Sequence, residues 1–408
     1  MKFFFLLFVT LVIGSYMQHC AGISIGLQYA VVIDAGSTSS KAVTYKFYMI
    51  YPSRRLVINN GESYKKVQPG LSSFCKNPTE GGKQIQKLLE LVKKNIPAEN
   101  LSTTPLILRG TGGMRNLPSD QAETILEEVR KIFSRSGFYI GENAAEILSG
   151  VDEGIFSWFT INFLLNRLGS KKTVAALDMG GASAQVTFTV KDKLKSQLPI
   201  LSDHMYTVSI PNDKIDVFST CYSDLGAETL RYAVFKYGAP NEATNLNSVC
   251  VHPSVRSTPF NYHTKSFTIN GKSNGKSTID FDACMDVVKK VTLNSIRTKP
   301  HTENQHEIFA FSGFFYRLWN IGLIDIEKGG EFTLNDILLN TKKACSTVDA
   351  KNSFLCLDLT YIYVLLHDGY GLDLDTKIQF HQNINGHVIS WTLGCAYDQL
   401  IDISRIKM

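Results

Sequence analysis

The order of apolar runs predicts an α/β chain with two related halves, because the pattern strand, glycine turn, strand, then helices occurs twice. The first copy is Val31-Val-Ile-Asp-Ala-Gly-Ser-Thr-Ser-Ser40, an apolar strand running into Asp34, a glycine and a line of hydroxyls before Ala42-Val-Thr-Tyr-Lys-Phe47. The second is Val174 to Leu177, which ends in Asp178, two glycines, Ser183 and Gln185 before Val186 to Val190. A carboxylate beside a glycine turn suits phosphate and metal, since glycines let backbone N–H groups approach anionic oxygens and an aspartate holds a hydrated cation. The same spelling also serves an ordinary hairpin. Two copies in one chain suggest two lobes facing one polyphosphate.

Taken in order, residues 30–34 and 42–48 read as strands, and Glu80 to Lys94 has helical spacing. Pro105 to Leu108 is a short strand leading into Arg109-Gly-Thr-Gly-Gly-Met-Arg115. Ser119 to Ser134 is a helix with Ser119 as its N-cap and acids early. Gly150 to Leu168 is helical and apolar on one side; strands at 174–178 and 186–190 follow. Cys221 to Tyr237 and Asp282 to Ser295 read as helices, Glu307 to Phe311 as a strand, and Leu334 to Cys345 and Leu357 to His367 as helices.

The chain has 408 residues, 44% of them hydrophobic, enough for two packed domains. Its net charge of +5 comes without a basic run, so nucleic acid is not an expected partner. Lys2, the apolar core Phe3 to Ile13 and Cys20-Ala-Gly22 predict a signal peptide over 1–22. That core is shorter than the roughly 20 apolar residues of a spanning helix, and no second span is expected. The mature protein is therefore expected in the secretory lumen or outside the cell, without a membrane anchor. The sequon Asn100-Leu-Ser102 fits that compartment, whereas Asn77-Pro-Thr79 is blocked by its proline. Eight cysteines without a C-x-x-C spacing point to disulfides rather than a metal site. Cys345 and Cys356 bracket a short loop and Cys250 and Cys284 flank a polar stretch, while Cys75, Cys221 and Cys395 cannot all pair with one another.

Three further segments carry possible chemistry. Gly110-Thr-Gly-Gly113 follows a strand, as a third phosphate loop or a plain turn. Asp152-Glu153 opens a helix, where a carboxylate either favours the dipole or acts as a general base. Trp158 either shapes that site or joins the core. Phe311-Ser-Gly-Phe-Phe-Tyr316 is core packing or a platform for a nucleobase. None of the nine histidines falls in these loops.

Together these segments resemble the apyrase regions of the ecto-nucleoside triphosphate diphosphohydrolases, the apyrase or CD39-like family. Asp34 to Lys41, Arg109 to Arg115, Ser149 to Trp158 and Leu177 to Gln185 resemble the first four regions in order and approximate spacing; Phe311 to Tyr316 and Ser390-Trp-Thr-Leu-Gly394 resemble later ones. The resemblance implies the two-lobed actin, Hsp70 and sugar-kinase architecture, RNase H-like, with the active site in the cleft. Lobe I is then 23–149, with 383–408 returning to it, and lobe II is 150–382. It implies Glu153 as catalytic base, with Ser183 and Gln185 positioning the attacking water. Asp34 and Asp178 match acids that hold Ca²⁺ or Mg²⁺ through its water shell. Ser37, Thr38, Ser39 and Thr111, with the backbone at Gly36, Gly112, Gly180, Gly181 and Ala182, match phosphate-binding positions, and Tyr316 matches a base-stacking one. The implied substrates are nucleoside tri- and diphosphates.

The chain departs from the family in carrying Gly112 where Ala is usual and Ser39 where membrane-bound members carry His, with Lys41 close behind. The preference between tri- and diphosphates is therefore left open. The cysteine placements look like those of the smaller soluble members, which tend towards diphosphates, and Cys75 has no counterpart. Two other classes fit the same frame: another phosphotransferase of this superfold, and a non-catalytic secreted nucleotide scavenger. The leader and Glu153 weigh against the first, and intact Glu153 and Ser183 against the second.

Overall fold

A computed structural model describes residues 24–406, apart from 171, 191–202, 211–212, 264, 274, 276, 301–306 and 350. The expected signal peptide lies outside the described residues. Two sheets dominate. The first has the order β3-β2-β1-β4-β5, from β1 (Ser24–Ala35), β2 (Ser40–Tyr51), β3 (Arg55–Val67), β4 (Leu106–Gly110) and β5 (Ala145–Ile147). β1 pairs antiparallel with β2 and parallel with β4, so it is central, and its run Val31-Val-Ile33 is buried on both faces. One face of this sheet packs on α1 (Pro78–Lys93) and, beyond the short α2 (Gly112–Arg115), on α3 (Ser119–Phe133), through Ile85, Leu88, Ile125 and Val129.

The second sheet runs β14-β15-β13-β6-β7-β9-β8. Its strands are β6 (Ala175–Met179), β7 (Ala184–Thr189), β8 (Met205–Ile210), β9 (Asp213–Tyr222), β13 (Ile308–Ser312), β14 (Gly330–Thr333) and β15 (Lys377–Phe380). Its centre repeats the first sheet in order and direction: β6–β7 and β7–β9 are antiparallel, β6–β13 and β13–β15 parallel. β1, β2, β3, β4 and β5 thus correspond to β6, β7, β9, β13 and β15. Between the sheets lie α4 (Gly150–Leu164) and α10 (Trp391–Ile406), and one core joins Val32 and Phe47 of the first sheet to Ala176 and Phe311 of the second through Trp158, Phe159 and Leu393. Trp158 is therefore core. The C-terminal helix α10 packs against both β1 and α4.

Outside this frame, the chain carries α5 (Ala227–Lys236), a small sheet of β10 (Asn245–Ser248), β11 (Thr258–Tyr262) and β12 (Lys265–Gly271), and the helices α6 (Phe281–Ser295), α7 (Gly313–Asn320), α8 (Leu334–Cys345) and α9 (Leu355–Val364). Disulfides join Cys250 to Cys284 and Cys345 to Cys356, as the spacings allowed; Cys75, Cys221 and Cys395 are free thiols. No helix among the described residues is long and apolar enough to cross a membrane.

Three local expectations are corrected. Ser119 does not cap α3; it is the first helical residue after Pro118, which offers no side-chain cap. Cys221 and Tyr222 end strand β9, and the helix begins only at Ala227, because Gly226 lies against the Gly180 loop. β3 was missed because Asn59, Asn60 and Gly61 interrupt its alternation, and a bulge at Tyr45 shifts its register with β2.

Candidate active site

Each half places an aspartate at the end of its central strand and closes the following loop in the same way. Gly36 N–H donates to Ser39 O at 3.0 Å, and Gly180 N–H to Ser183 O at 2.9 Å. In both halves a hydroxyl at the end of the next parallel strand, or just beyond it, reaches back to the aspartate. Thr111 Oγ1 donates to Asp34 Oδ1 at 3.2 Å, and the Ser312 hydroxyl bonds Asp178, which also accepts from Ser157 Oγ at 3.1 Å. Ser312 sits at φ 54°, a left-handed conformation that costs a non-glycine residue about 1–3 kcal/mol, and it is held there at the cleft floor. Burial pushes both carboxyls up, Asp178 to about 6, and each also feels the other's charge or that of nearby cations.

Glu153 enters from the first turn of α4. Ser149 caps that helix: its hydroxyl accepts from Asp152 N–H at 3.0 Å and donates to Asp152 Oδ2 at 2.7 Å. Asp152 is thus held by the Ser149 cap in the first turn, and Glu153 turns into the cleft. Arg115 fixes it: Nη1 donates to Glu153 Oε2 and to Leu148 O, both at 2.9 Å, while Nη2 donates to Ser183 Oγ at 3.0 Å. Gln185 Nε2 donates to Ser183 Oγ at 2.9 Å and lies 3.4 Å from Glu153 Oε2. Ser183 Oγ accepts from two donors, which leaves its own O–H to donate elsewhere. Burial raises the Glu153 carboxyl to about 7, with Asp178 and Asp34 adding to the rise and Arg115 opposing it. A base with a pKa near neutrality, fixed by one arginine and flanked by a hydroxyl and an amide, is suited to taking a proton from water.

The loops that would hold phosphate approach one another closely. A Cβ on Gly112 would sit 2.6 Å from the Ala182 Cβ, so the absence of a methyl at Gly112 lets the lobes meet here. The N-terminus of α5 ties back the second loop, with Ala227 N–H donating to Gly180 O and Glu228 N–H to Gly181 O, both at 2.9 Å. Ser37 and Thr38 are exposed at the first loop's tip. The Ser39 side chain is buried, and its carbonyl closes the loop by accepting from Gly36 N–H. In the aromatic cluster, Phe311, Phe314 and Phe315 are fully buried, whereas Tyr316 on α7 is 42% exposed, with Phe315 edge-on at 5.5 Å. The cluster is core except for Tyr316.

Apart from Trp158 and the phenylalanines of the aromatic cluster, which are core, the residues singled out in the sequence lie on the glycine loops, the α4 and α7 termini or the strand ends. The residue left without a role in the sequence was Arg115. Its signal was present, since it closes the Arg109–Arg115 segment, but only the fold carries it across to Glu153 and Ser183. Among the described residues, no group of three or more His, Cys, Asp or Glu is arranged to hold a metal.

Duplicated lobes, twin aspartate–glycine loops and an arginine-fixed glutamate in the cleft define a phosphohydrolase of the actin-like class. The fold is shared with a nucleoside triphosphate hydrolase from Neospora caninum (TM-score 0.68, 14% identity, covering 99% of this chain and 98% of that one). It is also shared with a Ppx/GppA family protein from Aquifex aeolicus (TM-score 0.50, 14% identity, 92% and 99% covered). The chain belongs to the GDA1/CD39 (nucleoside phosphatase) family, whose profile matches residues 25–406. It is 31% identical to ectonucleoside triphosphate diphosphohydrolase 5 of Bos taurus over 93% of this chain and 89% of that one, and equally to nucleoside diphosphate phosphatase ENTPD5 of Homo sapiens. Ectonucleoside triphosphate diphosphohydrolase 6 of Rattus norvegicus is also 31% identical, over 93% and 83%. The chain is thus an apyrase-type hydrolase acting on nucleotides.

Proposed function

We propose that this protein is a secreted apyrase that removes the terminal phosphate of nucleoside di- and triphosphates, yielding monophosphate and inorganic phosphate. The observation that carries the mechanism is the placement of Glu153 between Arg115 Nη1 at 2.9 Å and Gln185 Nε2 at 3.4 Å, with Ser183 Oγ bound to both donors' side chains. A water held by Ser183 and Gln185 loses its proton to Glu153 as its oxygen attacks the terminal phosphorus. Backbone N–H groups at Gly112, Gly181 and Ala182, on loops that the Gly36 and Gly180 N–H groups close, cradle the phosphates with Ser37, Thr38 and Thr111. Phosphoryl transfer depends mostly on positioning and charge neutralisation, so such loops and one base suffice for the protein's part. Tyr316 offers an exposed ring to the base.

Asp34 and Asp178 fit a divalent cation, Ca²⁺ or Mg²⁺. Both are raised by burial and each adds to the other's or to Glu153's charge burden, an excess of negative charge that calls for a counter-ion. Two carboxylates are too few for an all-protein cage, so water and substrate phosphate would complete the shell. When bound, such an ion supplies neutralisation of the phosphate oxygens. The leader over 1–22 and the two disulfides, both in lobe II, favour an oxidising secretory compartment. The deciding experiment is phosphate release from ATP, ADP, UDP and GDP, with and without divalent metal. The proposal expects release from at least one nucleotide, and metal-dependent release; no release from any of them would overturn it.

A further inference from the structure

The duplication gives the strand and loop positions of the second half counterparts in the first. In the second sheet a row of paired residues crosses β6, β7 and β9: Asp178, Gln185 and Cys221. The equivalent row across β1, β2 and β3 is Asp34, Lys41 and Lys66. The match is residue for residue. Each aspartate stands two positions before its loop glycine, and Gln185 and Lys41 stand at the same distance after Asp178 and Asp34. Lys41 therefore faces the cleft from lobe I as Gln185 faces it from lobe II. The Lys41 charge is felt at Asp34, on the cleft floor, and at the Tyr316 phenol, on the nucleoside side.

Phosphoryl transfer places the attacking and leaving oxygens roughly in line on opposite sides of phosphorus. Gln185, Ser183 and Glu153 gather on the attacking side. A cation on the opposite lobe, between the phosphate loops and Tyr316, meets the other end of that line. We propose that Lys41 is a catalytic residue that neutralises the leaving oxygen, the one bridging the terminal phosphate to the rest of the nucleotide. This rests on the nucleotide-hydrolase reading above. As water's oxygen bonds to phosphorus, its proton passes to Glu153. The bond from phosphorus to the bridging oxygen breaks, and its electron pair stays on that oxygen beside the Lys41 ammonium. A lysine supplies the point charge for this without needing bidentate geometry.

The competing role is structural, with Lys41 only offsetting Asp34. Lys41→Ala and Lys41→Arg, assayed with ADP and UDP over a range of Mg²⁺ and Ca²⁺, separate the two. Loss of a preorganised group at a developing charge is worth about 10²–10³ in kcat. We expect a fall of that size for Lys41→Ala, with KM within about fivefold, partial recovery in Lys41→Arg, and a larger ¹⁸O isotope effect at the bridging oxygen. Recovery of Lys41→Ala to wild-type rate at saturating metal, or an unchanged kcat and isotope effect, would overturn the proposal while the hydrolase reading stands. A wild-type enzyme that releases no phosphate would sink that reading, and this inference with it.

Discussion

Replacing Glu153 with Gln keeps the shape of the side chain and removes its ability to take a proton. General-base assistance contributes about 10²–10⁴-fold, so kcat should fall within that range at pH 8 while nucleotide binding is kept. The structure adds a pH dependence. The carboxyl is raised from 4.5 to about 7, chiefly by burial, and the base works only when ionised. Without a cation the carboxyl ionises only near pH 7, and a cation in the cleft favours the ionised form, so the acid limb of kcat/KM, read on the metal-loaded enzyme, should lie below pH 7. The same shift bears on stability. A folded carboxyl that holds its proton more tightly than the unfolded chain stabilises the fold at low pH, and that contribution is lost as pH rises from 4.5 through about 7. Ionised Glu153 thus carries about 3 kcal/mol of unfavourable environment. That figure is already net of the Arg115 bond, which opposes the rise. Gln, neutral like the protonated acid, should therefore melt higher than wild type at pH 8, by up to about 3 kcal/mol of stability, and show no gain at pH 4.5. The assays are steady-state phosphate release and chelated thermal melts at both pH values. Wild-type turnover in a folded Glu153→Gln enzyme would refute the base assignment, and an equal melting difference at both pH values would refute the electrostatic account.

Arg115 lowers the Glu153 pKa and fixes its position, so Arg115→Ala should cost about 10²-fold or more in kcat and move the acid limb to higher pH, with Lys partly restoring the limb; an unshifted limb would argue that the arginine is structural only. Tyr316→Ala should stay folded because the ring is 42% exposed, and should raise KM for purine and pyrimidine nucleotides alike by about fivefold or more, from stacking worth roughly 1–3 kcal/mol. Equal loss on inorganic pyrophosphate and on nucleotides would contradict stacking. Chelation should abolish hydrolysis with the melting curve little changed, since two aspartates do not make a structural cage; unfolding on chelation would count against a substrate-bound ion.

Much of the site was legible because its residues lie beside glycines that follow buried strands, and both signals are local. Asp34, Asp178, Thr111 and the loop glycines needed nothing more. Glu153 was legible only through the family resemblance, since a carboxylate in a first helical turn is usually a dipole or capping residue; the fold shows that Asp152 fills that role. Arg115 and Lys41 were not legible. One crosses the cleft from a four-residue helix, and the other owes its direction to strand pairing with Asp34. Of the fold, the twin strand pairs were readable, but β3 was hidden by its polar centre, and Cys221, which ends a strand, was placed on the helix that begins only at Ala227.

The hydrogen bonds from α5 to the Gly180 and Gly181 carbonyls have a consequence for how the second loop meets an anion. A peptide plane has two ends. Once the helix draws the carbonyl ends outward, the amide ends are left pointing the opposite way, into the cleft. The loop is thus polarised before any substrate arrives, and it has no peptide flip to make during turnover. A substitution on the far side of α5 that loosens its first turn, well away from the phosphates, would let those carbonyls swing back and turn an attractive surface into a repulsive one.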